Sequence, residues 1–183
     1  MKILTSVAIA TFLGCSSLFG AGYAVDPSHT NVVFKVKHMM ISTVSGQFED
    51  FRGSFELDDK TNQLKALKGE IDAESINTNI EDMDTHLKSS EILDVEKYPK
   101  ITFILDKIKG NKAYGKLTIK DVTKDVALDY EFGGTIVDPS GKKRAGFTLS
   151  GTIDRREYNV TWNRVLEAGG VAVSEKVKLE ISV

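Results

Sequence analysis

Three histidines, one arginine pair and a few carboxylates are the residues of this chain that could do chemistry, and their spacing excludes more than it supports. His29, His38 and His86 are far apart in sequence, with no His-x-His and no i, i+4 pair of the kind that holds a metal on a helix face. No metal site is expected from them. Asp82 and Asp84 stand two residues apart, so on a helix they point away from each other, a poor geometry for a general acid and base. The sequence has no Gly-x-Ser-x-Gly elbow, Gly-rich phosphate loop or dinucleotide fingerprint. Catalysis is the weaker class of function.

Asp154-Arg155-Arg156-Glu157 leaves two readings open. The segment can offer a guanidinium to a phosphate or pyrophosphate, which arginine binds bidentately. The alternative is an ion-paired strand end. His38 and His86 also divide two ways, between meeting the polar end of a ligand and being buried histidines satisfied by neighbouring backbone. Glu157-Tyr158-Asn159-Val160-Thr161 contains Asn-x-Thr with an acidic residue two positions earlier, as some bacterial glycosylation systems require; a chance match is the competing reading.

The start of the chain reads as an export signal. Lys2 is followed by an apolar run from Ile3 to Leu13 and by small residues at Gly20, Ala21 and Gly22, which assigns 1–22 to a cleaved leader and 23–183 to one domain. The run is too short to cross a bilayer as a retained helix, and the expected destination is a bacterial periplasm. Cys15 follows Phe12-Leu13-Gly14, a partial lipoprotein box; the favoured reading discards it with the leader, which leaves the domain without disulfide or thiol chemistry. Without Lys2, Lys and Arg total 23 against 26 acidic residues. That balance argues against nucleic acid as a partner. A domain of about 160 residues buries roughly 70% of its unfolded surface in one core.

The elements that must position these residues are strands. Val32, Phe34, Val36 and His38 share one face of a run whose other face carries Val33, Lys35 and Lys37, the period-two pattern of a half-buried strand. Further candidates are 44–57, 66–76, 100–109, 113–119, 124–137, 144–154 and 171–183, eight in all. Leu67, Gly69, Ile71 and Ala73 oppose Lys68, Glu70, Asp72 and Glu74, and Val126, Leu128, Tyr130 and Phe132 form a similar face. In the last run Val173, Val177, Leu179 and Ile181 are one-sided, although Glu175 breaks the apolar face. Turn residues at 58–62, 110–111, 120–121 and 138–141 favour antiparallel neighbours. The main interruption is 77–99, where Asn79 is expected to cap a helix beginning at Glu81, with Leu87, Ile92 and Leu93 turned inward. A second irregular region, 157–170, contains Trp162. Eight such strands form a sandwich or a barrel, and periodicity alone does not choose.

Across nearly the whole mature length the chain resembles the YceI-like family of bacterial secreted proteins. The resemblance is carried by Asp26-Pro27-Ser28-His29-Thr30 with the strand to His38, by Gly46-Gln47-Phe48 with Phe51-Arg52-Gly53, and by Asp82-Met83-Asp84-Thr85-His86-Leu87. It continues through Tyr98-Pro99-Lys100-Ile101-Thr102-Phe103, 115–124 and the run from Ile153 to Asn163. Met83-Asp84-Thr85 stands where the family often has Arg-Asp before His-Leu, so a headgroup role for that arginine is not carried over. The resemblance implies an all-β fold with a short helical insertion, an extended antiparallel eight-stranded lipocalin-like β-barrel. Its long apolar pore would hold an isoprenoid or fatty-acyl chain non-covalently, with no further cofactor, and a homodimer is plausible.

On that reading the pore is lined by Phe34, Val36, Phe48, Phe51, Ile71, Ala73, Leu87, Phe103, Leu117, Ile119, Leu128, Phe147, Ile153 and Trp162, with His38, His86 and Arg156 near a headgroup. Without the resemblance, phenylalanines on strands are more often plain core. The expected function is a periplasmic carrier for an amphiphilic lipid, not an integral membrane protein and not an enzyme. The rivals are an enzyme or accessory factor of quinone or lipid metabolism, and a stress or interaction protein with a filled barrel.

Overall fold

The computed structural model describes residues 21–58, 60–167 and 169–183. Residues 1–20, which hold Cys15 and nearly all of the expected leader, lie outside the described residues. Ala21 and Gly22, assigned to that leader by sequence, begin the first strand, Ala21–Ala24 (β1).

The other strands are Asn31–His38 (β2), Ser42–Phe48 (β3), Phe51–Leu57 (β4), Leu64–Asp72 (β5), Ile76–Asn77 (β6), Lys100–Lys109 (β7), Lys112–Ile119 (β8), Val122–Val137 (β9), Lys143–Asp154 (β10) and Val173–Ser182 (β11). One α-helix, Glu81–Lys88 (α1), fills the interruption. The eleven strands among the described residues belong to one sheet, ordered β1-β4-β5-β7-β8-β9-β10-β11-β2-β3-β6, and neighbours pair antiparallel. β3 and β4 follow one another in the chain yet lie towards opposite ends of that order. The sheet therefore curls into a half-barrel whose two ends are joined through Glu49 and Asp50.

Eleven strands replace the eight expected, for local reasons. The run 44–57 divides at Glu49-Asp50, where the Glu49 N–H donates to the Ser75 carbonyl and the Asp50 carbonyl accepts from the Asp72 N–H. The run 66–76 is broken by a 3-10 turn, Ala73–Ser75, which the Asp72 carboxylate caps by accepting from the Glu74 N–H. β1 lies in a stretch where no alternation announced a strand; it pairs Tyr23 with Phe55.

The helix start also differs from expectation. Asn79 takes a left-handed φ of 61°, and Ile80 occupies the N-cap with no side-chain cap bond. The Asp84 carboxylate instead accepts from the Thr78 N–H (2.8 Å) and Thr78 hydroxyl (2.6 Å), tying α1 back to β6. Asp84 thus fixes the helix to the sheet.

Two apolar clusters divide the interior. One end is filled by Phe55, Leu57, Leu64, Leu67, Leu105, Ala113, Leu128, Phe147 and Leu149. There Tyr23 stacks on Phe55 at 4.9 Å, and Phe147 meets the Phe55 ring edge-on at 5.1 Å, geometries that add to plain area burial. The other cluster gathers Ala73, Val95, Ile101, Leu117, Ile153 and Tyr158 below the helix. Phe103 and Val126 pack against both.

Candidate functional site

Beside the second cluster the sheet does not fill itself. A cavity of about 250 Å³ lies between β2, β3, β8, β11, α1 and the 3-10 turn Arg155–Tyr158. Alternation delivers the sheet's share of its wall: Phe34 and Val36 from β2, Val44 and Phe48 from β3, Leu117 and Ile119 from β8, and Val177 and Leu179 from β11. Val36 pairs with Val177 and Phe34 with Leu179, so those four form one continuous apolar surface. Phe34 also pairs with Gly46, and a Cβ there would stand 2.6 Å from Phe34 Cε1 and closer still to Cζ. The missing side chain is what lets that ring lie flat on the wall.

The remaining wall comes from α1 and the irregular segments. Met83, His86 and Leu87 descend from the helix, Ile92 and Leu93 from the chain after it, and Trp162 from the region beyond Tyr158. The Lys120 ammonium donates to the carbonyls of Ile92 (3.0 Å) and Asn159 (3.3 Å), linking the β8–β9 turn to both segments. His86 meets the Trp162 ring edge to face at 4.6 Å, and its Nε2 lies 3.1 Å from Glu91 Oε2.

Arg155 is the charged residue of the wall. Only 7% of it is exposed, yet it lacks a carboxylate partner among the described residues. Its Nε donates to the Ser174 carbonyl (2.9 Å), and its terminal nitrogens donate to those of Val160 (2.7 Å), Trp162 (2.8 Å) and Val173 (3.4 Å). Burial pushes the guanidinium's pKa down, but arginine starts so high that it stays charged. Burial likewise pushes the Tyr158 phenol up to about 12, which keeps it neutral. The polar groups on the wall are therefore His38, His86, Arg155, Tyr158 and Trp162; among the described residues no aspartate or glutamate lines it. These groups can donate hydrogen bonds, and one is a fixed cation.

The residues expected to line the pore fall into four places. Phe34, Val36, Phe48, Leu87, Leu117, Ile119, Ile153 and Trp162 line the cavity, with His38 and His86. Leu128 and Phe147 sit instead in the filled end, and Ile71, Ala73 and Phe103 pack in or against the second cluster behind the cavity wall. Phe51 is half-buried at the start of β4, outside the cavity and both clusters. Arg156 points away from the cavity: its guanidinium bonds Asp154 (2.8 Å) and Glu175 (2.6 Å), the ion-paired reading. Sequence reasoning missed Arg155, Tyr158, Val160, Met83, Val44 and Ile76. The inward alternation already carried a signal for Val44, which shares a face with Phe48.

Asp26, Ser28 and His29 form a cluster of the right types for a nucleophile and base, but the geometry is a turn. His29 Nδ1 lies 3.0 Å from Ser28 Oγ and 3.1 Å from Asp26 Oδ2, so one ring nitrogen faces both partners. A triad needs them on opposite nitrogens. Among the described residues no three His, Cys, Asp or Glu side chains converge on a metal position.

A curled antiparallel sheet holding an apolar, donor-lined cavity under one helix defines the class of protein. The YceI-like domain model matches residues 23–183, and the chain belongs to the YceI-like family. A UPF0312 protein of Staphylococcus epidermidis is 40% identical over 160 residues, covering 86% of this chain and 92% of its own length. The Campylobacter jejuni YCEI protein is 34% identical with a TM-score of 0.70, covering 88% of this chain and 95% of that one. The fold is shared with BcnA of Burkholderia cenocepacia (TM-score 0.72, 21% identity, 86% of this chain and 97% of that one). It is also shared with a Saccharophagus degradans domain described as polyisoprenoid binding (TM-score 0.57, 13% identity, 87% and 94% covered).

Proposed function

We propose that the chain is a periplasmic carrier that takes up one amphiphile with a slender apolar tail and releases it unchanged. The observation that carries this reading is the cavity: about 250 Å³ in volume, walled by aliphatic and aromatic side chains, with a few polar groups that can each donate a hydrogen bond and no carboxylate among the described lining residues. Small-molecule pockets begin at roughly 300 Å³, so the space suits a single narrow tail better than a bulky ring system. An isoprenoid or fatty-acyl chain has that shape. Each buried methylene contributes about 0.8 kcal/mol, and the donors suit a head rich in acceptor oxygens, such as a carboxylate, phosphate or quinone carbonyl. The family resemblance and the polyisoprenoid-binding description of a protein with this fold support the ligand class. The leader-like pattern of Lys2, the apolar run and the small residues after it supports the periplasm. The curled sheet works, on this view, as a lipocalin-like barrel open at its helix-bearing end.

Native mass spectrometry of protein purified from its own periplasm is expected to show a bound lipid, released intact on denaturation. A saturating isoprenoid or acyl ligand at 100 times its dissociation constant is expected to stabilise the fold by about 2.7 kcal/mol. Ile119→Trp, which fills the cavity from β8, is expected to abolish both effects. Protein that is empty, takes up neither ligand class and melts at one temperature throughout would overturn the proposal.

A further inference from the structure

The β2–β3 hairpin breaks two rules of surface chemistry at once. Its turn is closed by the Ile41 N–H donating to the His38 carbonyl, and both central residues, Met39 and Met40, have positive φ (49° and 65°). Turns of that kind favour Asn-Gly, because left-handed backbone strains residues with long side chains. Yet this turn presents Met39, Met40 and Ile41, with Met40 63% and Ile41 86% exposed. Neither folding propensity nor solubility explains three long apolar residues on a strained tip.

The tip has a neighbour of the same character. The Met39 N–H donates to the Ala172 carbonyl at 2.7 Å, and Met40 Cγ lies 3.6 Å from the position a Gly170 side chain would take. Val171 pairs with Val165, which is 80% exposed. His38 and Val173, each one residue beyond these contacts, line the cavity. The exposed apolar tip is thus continuous with the cavity wall. Lys37 and Arg164 are exposed on the same two segments, and among the described residues neither is in an ion pair; Glu167 is the exposed acid beside them.

Resting on the carrier reading above, we propose that the Met39-Met40-Ile41 tip, with Val165, docks the protein on a phospholipid bilayer, so that the cavity end faces the reservoir of its ligand. The side chains enter the interface between headgroups and acyl chains, and Lys37 and Arg164 meet phosphates. The apolar contribution dominates, so salt weakens binding only severalfold.

The test is flotation with vesicles of mixed phosphatidylethanolamine and phosphatidylglycerol, using the mature protein purified as the cell exports it. The wild type is expected to float with the vesicles, and M40S/I41S to lose roughly tenfold or more of its partitioning. A second variant separates docking from folding: M39N/M40G relieves the strained turn, so it is expected to raise the melting temperature while also losing the vesicles. Binding of a detergent-delivered fatty acid is measured in parallel and is expected to be unchanged in both variants. If the wild type ignores vesicles but binds the fatty acid, or if the variants float as well as the wild type, docking is overturned and the carrier reading stands. If wild-type binding of the fatty acid and of an isoprenoid fails, the carrier reading falls. Loss of a dimer by M40S/I41S in sedimentation, without loss of vesicle binding, would assign the tip to self-association and overturn the proposal.

Discussion

Gly46→Ala is the smallest change that acts on the cavity without removing any side chain that lines it. Gly46 is paired with Phe34 across β2 and β3, and its backbone needs no left-handed conformation. The added Cβ would stand 2.6 Å from Phe34 Cε1, still closer to Cζ, and 3.0 Å from Thr78 Cγ2. Something must move. The nearest obstacle is the far end of a side chain, and the free space beside that ring is the cavity. The ring is therefore expected to swing inward and to loosen its tilted contact with Phe48, whose centroid is now 5.9 Å away.

Overpacking costs about 1–3 kcal/mol in a filled core. Here the cavity gives the ring somewhere to go, and a cost of about 1 kcal/mol corresponds to a melting temperature lower by about 2–4 °C in a domain of this size. Ligand affinity suffers more. Each methylene kept out of the cavity removes about 0.8 kcal/mol, about fourfold in dissociation constant, and a displaced phenyl ring excludes several. Titration with a fluorescent polyene fatty acid, alongside thermal melts, reads both quantities. Phe34→Leu added to Gly46→Ala should return much of the affinity, a non-additivity expected of touching residues. An affinity left within twofold by Gly46→Ala would refute the reasoning, because it would place the guest away from the Phe34 ring.

Arg155→Met removes the donor shared by the Ser174, Val160, Trp162 and Val173 carbonyls; the loss is expected to reach about 3 kcal/mol or more in urea unfolding. Asp154 is held well below the usual carboxylate range by hydrogen bonds from the Arg156 side chain and, next, by its backbone N–H. Its folded pKa is depressed, so the stability it contributes is present above its unfolded pKa of about 3.9 and is lost as pH falls from there towards the folded value. Asp154→Asn should lower the melting temperature at neutral pH and flatten its fall below about pH 4, checked by melts across that range. Phe103→Ala, at the junction of the two clusters, should destabilise the fold by about 3 kcal/mol while raising the length of acyl chain at which affinity stops increasing, measured with a homologous series.

Alternation showed which side chains face inward but not how far along the interior they lie. Phe34, Val36 and Leu117 belong to the same kind of pattern as Leu128 and Phe147, yet the first three line the cavity and the last two plug the far end. Height is set by pairing register, such as Leu128 opposite Ala113 and Val177 opposite Ile153, and a single strand's pattern does not contain it. The arginine pair divides for a related reason. Asp154 caps a 3-10 turn, and consecutive residues on a turn point apart, so Arg155 enters the wall while Arg156 stays with Asp154 and Glu175. Glu175, an apparent flaw in an apolar face, lies where the β11–β2 register shifts between Val173 and Val177, and the irregularity carries it to Arg156.

The two ends of the interior divide the work between them. A cavity forfeits dispersion contacts, and the groups around it lack packing partners on one side. The opposite end can offset that loss, since Phe55, Leu57, Ala113, Phe147 and Leu149 are almost wholly buried and drawn from β4, β8 and β10. Around the hollow end the wall is braced by polar bonds made behind it. Arg155 ties four carbonyls together, the Asn163 side chain exchanges hydrogen bonds with the Val173 backbone, and Lys120 joins the chain after α1 to Asn159. Asn163 and Lys120 lie outside the lining and Arg155 spends its N–H groups on backbone carbonyls, so these bonds can hold the cavity's shape without filling it. The same logic explains a buried cation beside a greasy space. Carbonyl oxygens satisfy its hydrogen bonds, and the nearby Asp154 and Glu175 carboxylates, which do not line the cavity, favour its charged form.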